Sequence, residues 1–412
     1  MANPFRTCRS YSDTHLGLLQ VMPSFPQIVN LSEEQILAFR SERSHLLGPG
    51  ADSPRQAAAD ILGAQAQQLS SGLLALSLRT KGRPTAEQLQ SQLLAPESDL
   101  VRTWGQRETL HLYAADPDWR LTQAARSEWA QGIRGRLRPP EAIVDKASKK
   151  IQELEYVRRQ DLFPLLSAAF VRSLQPQVGG KRAAERSAAG LVIYQLAMAG
   201  EIYVAEKKGA EQNYRLRKNA YPTLSWPKRL AASTAARTFA LRYFRTFGPA
   251  TPQDLAHFFH ARVAKARQWM VSFQDDLVEV QCGRRKDLFA LREDLPALQR
   301  AAPKGFRAWP VRLLPLWDCW LMAHADKSWT APEEADRKRI WRKAAYVSAV
   351  VMARGRAVAL WSHLKRKNEL KVEVTPLSLW KPSQHLPGVR REAKAIAKHF
   401  GLAASEVEVL QS

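Results

Sequence analysis

The feature that most restricts how this chain can fold is an ordering of segments that occurs three times: amphipathic helical stretches, then two strand-like runs around a tight turn. In the first round Ser32, with Glu33, Glu34 and Gln35 ahead of Ile36, Leu37 and Phe39, supplies an N-cap and a first helical turn. Gly48, Pro49 and Gly50 end that helix. Pro54 suits the first turn of a second helix, which carries Ala57, Ala58, Ile61 and Leu62 and stops at Gly63. Leu69 to Leu78 line a third helix, and Thr85 to Leu94 form a short fourth. From Leu100 to Tyr113 apolar and polar residues partly alternate around Gly105, as in a β-hairpin. Helices followed by a two-stranded ribbon is the order of a winged helix-turn-helix.

In the second round, helical patterns from Asp116 to Ala199 lead into strand-like runs at 200–205 and 213–216, with Lys207, Lys208 and Gly209 between them. The third runs from Leu230 through Thr251 and Met270 to strands at 276–280 and 288–291, separated by Gly283, Arg284, Arg285 and Lys286. The turns near 106, 209 and 284 are unequally spaced, which excludes a strict solenoid. The expected fold is therefore a mainly helical α+β chain with three tandem winged helix-turn-helix units, at 29–115, 116–222 and 223–307. An aperiodic extension, 1–28, precedes them, and regular structure is expected from Leu31. A smaller C-terminal α+β part follows at 308–412, with strands at 311–316, 346–353, 357–362 and 370–374 and a helix at 390–400.

Charge narrows the partners. Lys and Arg number 62 against 39 Asp and Glu, a net +23, on a chain otherwise of ordinary globular composition with 45% hydrophobic residues. Such an excess is most easily carried against a polyanion. It is also clustered: residues 205–245 hold ten basic residues against two acids, and 337–371 hold eleven against one. Lys207, Lys208, Arg284, Arg285 and Lys286 stand at turn positions where wings would grip phosphates of double-stranded DNA. A solvated basic face is the bland alternative. An anionic membrane surface is another, but the basic helices lack a wide apolar face, and the apolar run from Ser187 to Gly200 is too short for a span. Cys8, Cys282 and Cys319 are too scattered for a zinc knuckle or redox pair, and the N-terminus lacks a signal-peptide core. A cytoplasmic monomer without metal or cofactor is expected.

One stretch is chemically odd. Gly63, Ala64, Gln65, Ala66, Gln67 and Gln68 place amides among residues otherwise given to burying Ile, Leu and Ala. On a helix, Gln65 and Gln67 would point about 200° apart; on an extended backbone after Gly63 they share a face and converge on one cleft. Glutamines that cap helix ends or lie in solvent remain the structural alternative.

Five segments, in order, carry a resemblance: 31–40, 62–67, 101–104 with 107–111, 312–318, and 355–361. Together they resemble the winged-helix DNA glycosylases of the AlkZ and YcaQ type, which unhook interstrand crosslinks and bulky alkylated purines. The resemblance spans about Leu31 to Trp380. It implies three winged helices in a C-shaped DNA-binding surface, with a Gln-x-Gln motif, here Gln65 and Gln67, as the catalytic pair. It also implies DNA or lesion contacts by Arg107, Glu108, Thr109 and His111, and structural support from Asp318 and Trp361. Glu108 stands where members of this family usually carry glycine, adding a negative charge near the expected lesion.

The implied reaction is monofunctional hydrolysis of an N-glycosidic bond, in DNA repair or in self-resistance to a genotoxic product. Glutamine is not a strong base. An N7-alkylpurine already carries positive charge and leaves neutral, so two amides that orient water and stabilise developing charge suffice. Rival chemistries find little purchase. His257 and His260 lack zinc-helix spacing, no Ser/His/Asp set stands out, and no carboxylate pair for a magnesium nuclease is evident. Trp104, Trp317, Trp320 and Trp361 read as core. A non-enzymatic winged-helix protein that regulates or sequesters lesions is the competing reading.

Overall fold

The computed structural model describes residues 28–129, 132–209, 211–226 and 230–411. The extension, with Cys8, falls almost entirely outside them. Three hairpins occur where the sequence places them: β3 and β4 (Leu100–Trp104, Leu110–Ala114), β5 and β6 (Ile202–Lys208, Glu211–Leu216), β7 and β8 (Leu277–Cys282, Arg285–Leu291). Ahead of the first stand α1 (Glu33–Arg43), α2 (Pro54–Asp60), α3 (Leu69–Arg79) and α4 (Ala86–Leu94). Ser32 and Thr85 close capping boxes with Gln35 and Gln88, and Ser53 caps α2 with Pro54 at its first position.

Ordered structure begins earlier than Leu31. Strand β1 (Ile28–Asn30) pairs in parallel with β7, Val29 opposite Val280. In the same way α1 does not share the core of α2 to α4. Its buried Ile36, Leu37 and Phe39 lie in one apolar cluster with Val278 and Val280 of β7 and with Trp309, Trp320 and Met352 of the C-terminal part. Arg354 and Arg356 pair with Glu34 and Glu33 across this junction. The apolar face of α1 thus finds its complement some 240 residues downstream rather than in the helices that follow it.

The segments interlock. Trp104 of β3 stacks on Tyr214 of β6 at 6.0 Å and meets Tyr194 edge-on at 5.8 Å, so the first hairpin leans on the second. Helix Arg120–Ala125 packs on helix Ala232–Phe247, and Leu121 and Ala125 share a core with Phe239 and Phe259. The C-terminal part is a five-stranded sheet, with β9 (Arg312–Leu314), β12 (Val350–Ala353), β13 (Arg356–Arg366), β14 (Glu369–Pro376) and β15 (Ala404–Val409) in the order β15-β14-β13-β12-β9. A two-stranded ribbon, β10 (Trp341–Arg342) and β11 (Tyr346–Val347), flanks it. The closing helix begins at Pro382, eight residues before the expected Arg390, and β15 has no counterpart in the sequence reading. Arg79 of α3 makes a fully buried bidentate pair with Asp318, at 2.7 and 2.9 Å, which ties α3 to the C-terminal part. The fold is mixed α+β and mainly helical. Among the described residues no helix is long and apolar enough to cross a membrane.

Candidate active site

After α2 the chain takes two consecutive left-handed residues, Leu62 at φ 57° and Gly63 at φ 93°. Gly63 is required twice over: by that φ, and because a Cβ there would lie 2.4 Å from the ring of Tyr113. The reversal lays β2 (Ala64–Gln65) antiparallel to β4, with Ala64 opposite Leu112 and Gln65 opposite His111. Ala66 N donates to Leu110 O at 2.7 Å, which extends the ladder by one residue. Gln65 therefore sits on extended backbone, and Gln67 follows in the bend between this short strand and α3.

Both amide oxygens are held by the same hairpin. Oε1 of Gln65 accepts from Nη2 of Arg107 at 3.2 Å, and Oε1 of Gln67 accepts from the backbone N–H of Leu110 at 3.3 Å. Their exposure differs. Gln65 is 7% exposed, whereas Gln67 is open to solvent. Each carbonyl oxygen keeps a second lone pair.

Arg107 and Glu108 form the turn of the β3–β4 hairpin, both at positive φ. Besides Gln65, the Arg107 guanidinium donates to Phe258 O and, at 3.4 Å, to Nε2 of His111. Burial lowers its pKa to about 10, so it stays charged at neutral pH. His111 is buried and stacks on Tyr113 at 5.5 Å. Its Nδ1 lies 3.0 Å from Thr109 O, a donor position, which leaves Nε2 as the acceptor for Arg107. Burial first, and then the Arg107 charge, push its pKa down to about 3, so it is neutral and no proton donor near pH 7. Glu108 accepts from the backbone N–H of Arg134 at 3.0 Å, and Arg134 also donates to its carbonyl. The carboxylate thus fastens the turn to the following segment. Thr109 donates back to Gln106 O.

Sequence reasoning missed Arg102. Buried on β3, it donates through Nε and Nη2 to Ala66 O at 3.2 and 2.8 Å and reaches Gln67 O at 3.5 Å, bracing the backbone between the two glutamines. Its signal was a charged residue in a short strand whose other members are Leu, Val, Thr and Trp.

Lys207 and Lys208 are exposed at the β5–β6 turn. A cavity of about 480 Å³ brings Lys207 to the same walls as Gln67, Gln68 and Arg102. At the β7–β8 turn Arg284 and Lys286 are exposed, but Arg285 is not the free phosphate ligand the sequence suggests. It pairs with Glu33 at 3.0 Å and Asp326 at 3.3 Å, donates to Ser328, and lies 4.0 Å over the ring of Trp329. Two neighbouring acids and an aromatic face outcompete solvent for its guanidinium. The β13–β14 hairpin adds exposed Lys365, Arg366 and Lys367. Asp318 also caps the helix Cys319–Met322, and Trp361 is buried with Nε1 donating to Leu314 O, so both brace the C-terminal part. Trp104 and Trp320 are buried and Trp317 half-buried. His257 lies 3.1 Å from Nζ of Lys327, and no metal-binding cluster occurs among the described residues.

Comparison with known proteins bears on this geometry. Residues 58–400 match a family model described as DNA glycosylase AlkZ-like. An interstrand DNA cross-link repair glycosylase of Streptomyces sahachiroi is 24% identical over 391 residues, which cover 92% of this chain and 99% of that protein. The solved structure of Streptomyces sahachiroi DNA glycosylase AlkZ superposes with a TM-score of 0.72 at 25% identity, over 93% of this chain and all of that one. With most of its length inside the match, the chain belongs to the AlkZ-like family of DNA glycosylases.

Proposed function

We propose that this DNA glycosylase acts as a monomer on bulky or crosslinked N7-alkylguanine in duplex DNA, releasing the damaged base in crosslink repair, and that Gln65 and Gln67 carry the reaction. The observation that carries this reading is that both amide oxygens are anchored to one hairpin, while Gln67 opens onto a groove that also holds Arg102 and Lys207. A water seated there can donate to the remaining lone pairs of the amides and present its own oxygen to the anomeric carbon. The glycosidic bond breaks through an oxocarbenium-like state, its electron pair leaving with the alkylated base as a neutral molecule, while the water oxygen bonds to the anomeric carbon and releases a proton to solvent. No strong base is needed, which agrees with a site whose histidine is held neutral and whose arginine is engaged. The carbonyl dipoles, fixed before the reaction, stabilise the charge that develops on the sugar.

The three hairpins serve in this reading as wings of winged units at 29–115, 116–222 and 223–307, curved around the duplex, with 308–412 as their buttress. Lys207, Lys208, Arg284 and Lys286 hold phosphates, and Arg107, Glu108, Thr109 and His111 shape the lesion end of the β3–β4 hairpin. The test is a duplex carrying one defined N7-alkylguanine under single-turnover conditions. The wild type releases free base and leaves an alkali-labile site. Gln67→Ala and Gln65→Ala each lower the rate by roughly 100-fold or more, with affinity for undamaged duplex retained. Lesions left intact by the wild type, or variants as fast as the wild type, contradict the assignment. Tight binding with no base released would favour a lesion-sequestering protein instead.

A further inference from the structure

A second cavity, of about 220 Å³, lies between the start of α3 and the C-terminal sheet. Gln68 and Ser70 line both this cavity and the groove of Gln67, so the two adjoin at the first turn of α3. Their chemistries differ. The groove carries Gln67, Arg102 and Lys207, whereas the cavity joins an aromatic and aliphatic side, with Leu74, Trp361, His363 and Phe400, to a polar one, with Ser71, Tyr346 and Ser362.

The aromatic wall is ordered as a stack. His363 lies between Trp361, at 5.5 Å and 28°, and Phe400, at 5.2 Å and 25°, with the Lys365 ammonium 3.6 Å from the centre of the Phe400 ring. The one polar atom of the Trp361 ring is already used, since Nε1 donates to Leu314 O at 2.8 Å. Burial, and then the Lys365 charge, lower the pKa of His363, which leaves its ring uncharged at neutral pH. This side of the cavity therefore offers aromatic and aliphatic carbon, while hydroxyls come from Ser70, Ser71, Tyr346 and Ser362. A cavity of about 150 Å³ lined by apolar side chains accepts benzene, so this one has room for one or two fused rings.

We propose that this cavity is the specificity pocket of the enzyme: it receives the aromatic or apolar substituent of an alkylated purine whose sugar lies beside Gln67. The proposal rests on the functional reading above, because it assigns the substituent's place from the sugar's. The aromatic stack favours a substituent over an extruded base, since a ring or alkyl group gains from carbon surface without needing a partner for each atom of a hydrogen-bonding edge.

Ser362 is exposed, lines this cavity and not the groove, and stands on a strand that tolerates an aromatic residue, so Ser362→Trp closes the cavity without touching the glutamines. The substrates are two duplexes of one sequence, one with N7-methylguanine and one with N7-(naphthylmethyl)guanine. Expected is a wild-type preference for the naphthylmethyl lesion, and a fall of at least tenfold in its kcat/KM in Ser362→Trp. Release of N7-methylguanine and affinity for undamaged duplex stay within twofold. His363→Ala, which removes the middle of the stack, lowers the preference in the same direction. Equal loss on both lesions would mean that the cavity holds the base itself, and no loss on either that it stays empty; both overturn the proposal while leaving the glycosylase reading intact. Failure of the wild type to release either base overturns the reading and the pocket together.

Discussion

Tyr113 shows how much of the site depends on single residues. Its ring fills the space left by two glycines: a Cβ at Gly63 would lie 2.4 Å from the ring, and one at Gly105 would lie 1.8 Å from the hydroxyl. That hydroxyl donates to Oε1 of Gln106, whose Nε2 donates to Leu62 O at 3.1 Å. The chain reversal that launches β2 and the turn that carries Arg107 are thus keyed to one side chain. Gly105→Ala is expected to destabilise the protein by about 1–3 kcal/mol through overpacking. Combining it with Tyr113→Phe, which removes the clashing oxygen, should cost less than the sum of the single changes by about 1 kcal/mol. Urea denaturation of the four proteins measures this; strict additivity would mean that the hydroxyl is not what the methyl meets. Gly63 was legible in the sequence as a helix terminator, but its second role was not, because Tyr113 lies fifty residues away.

At the scale of elements the three hairpins appear where apolar alternation and turn residues place them, yet their basic tips are not equivalent. Lys207 and Lys208 project into solvent beside the groove of Gln67, while Arg285 is spent on Glu33, Asp326 and Trp329. Charge reversal at the two lysines should weaken binding to undamaged duplex and reduce the slope of log affinity against log salt by about two. Arg285→Ala should instead leave that slope within experimental error and lower the unfolding midpoint, since it strands part of the α1 junction. A salt slope reduced by Arg285→Ala would return that residue to the DNA surface. Composition shows the count of basic residues; which of them have acidic neighbours depends on pairings such as Arg285 with Glu33, 252 positions apart.

The whole molecule places several ionisable groups where water does not reach, and this shapes its response to acid. His111 titrates near pH 3 and His324 well below its ordinary value, both chiefly because burial disfavours the charged ring. In the unfolded chain each takes up a proton near pH 6.5. Between the two pKa values the unfolded state binds more protons, so stability is full above about pH 6.5 and falls as pH drops below it, by about 1.4 kcal/mol per unit for each ring. Stability measured in urea should decline from pH 6.5 to 5, and His324→Gln should make the decline shallower. A flat profile over that interval would contradict neutral burial of these rings.

Periodicity, capping residues and turn chemistry are local, and by themselves they determined the helices ahead of the first hairpin, the three hairpins, the mixed α+β class and the end of α2 at Gly63. Tertiary structure alone decided that α1 serves the third hairpin and the C-terminal sheet, that Arg102 braces the backbone between the glutamines, that Arg107 holds Gln65, and that an aromatic cavity adjoins the groove. Each of these rests on contacts between residues far apart in the chain. Such contacts are selected by the complementarity of surfaces that exist only once the elements have formed and met.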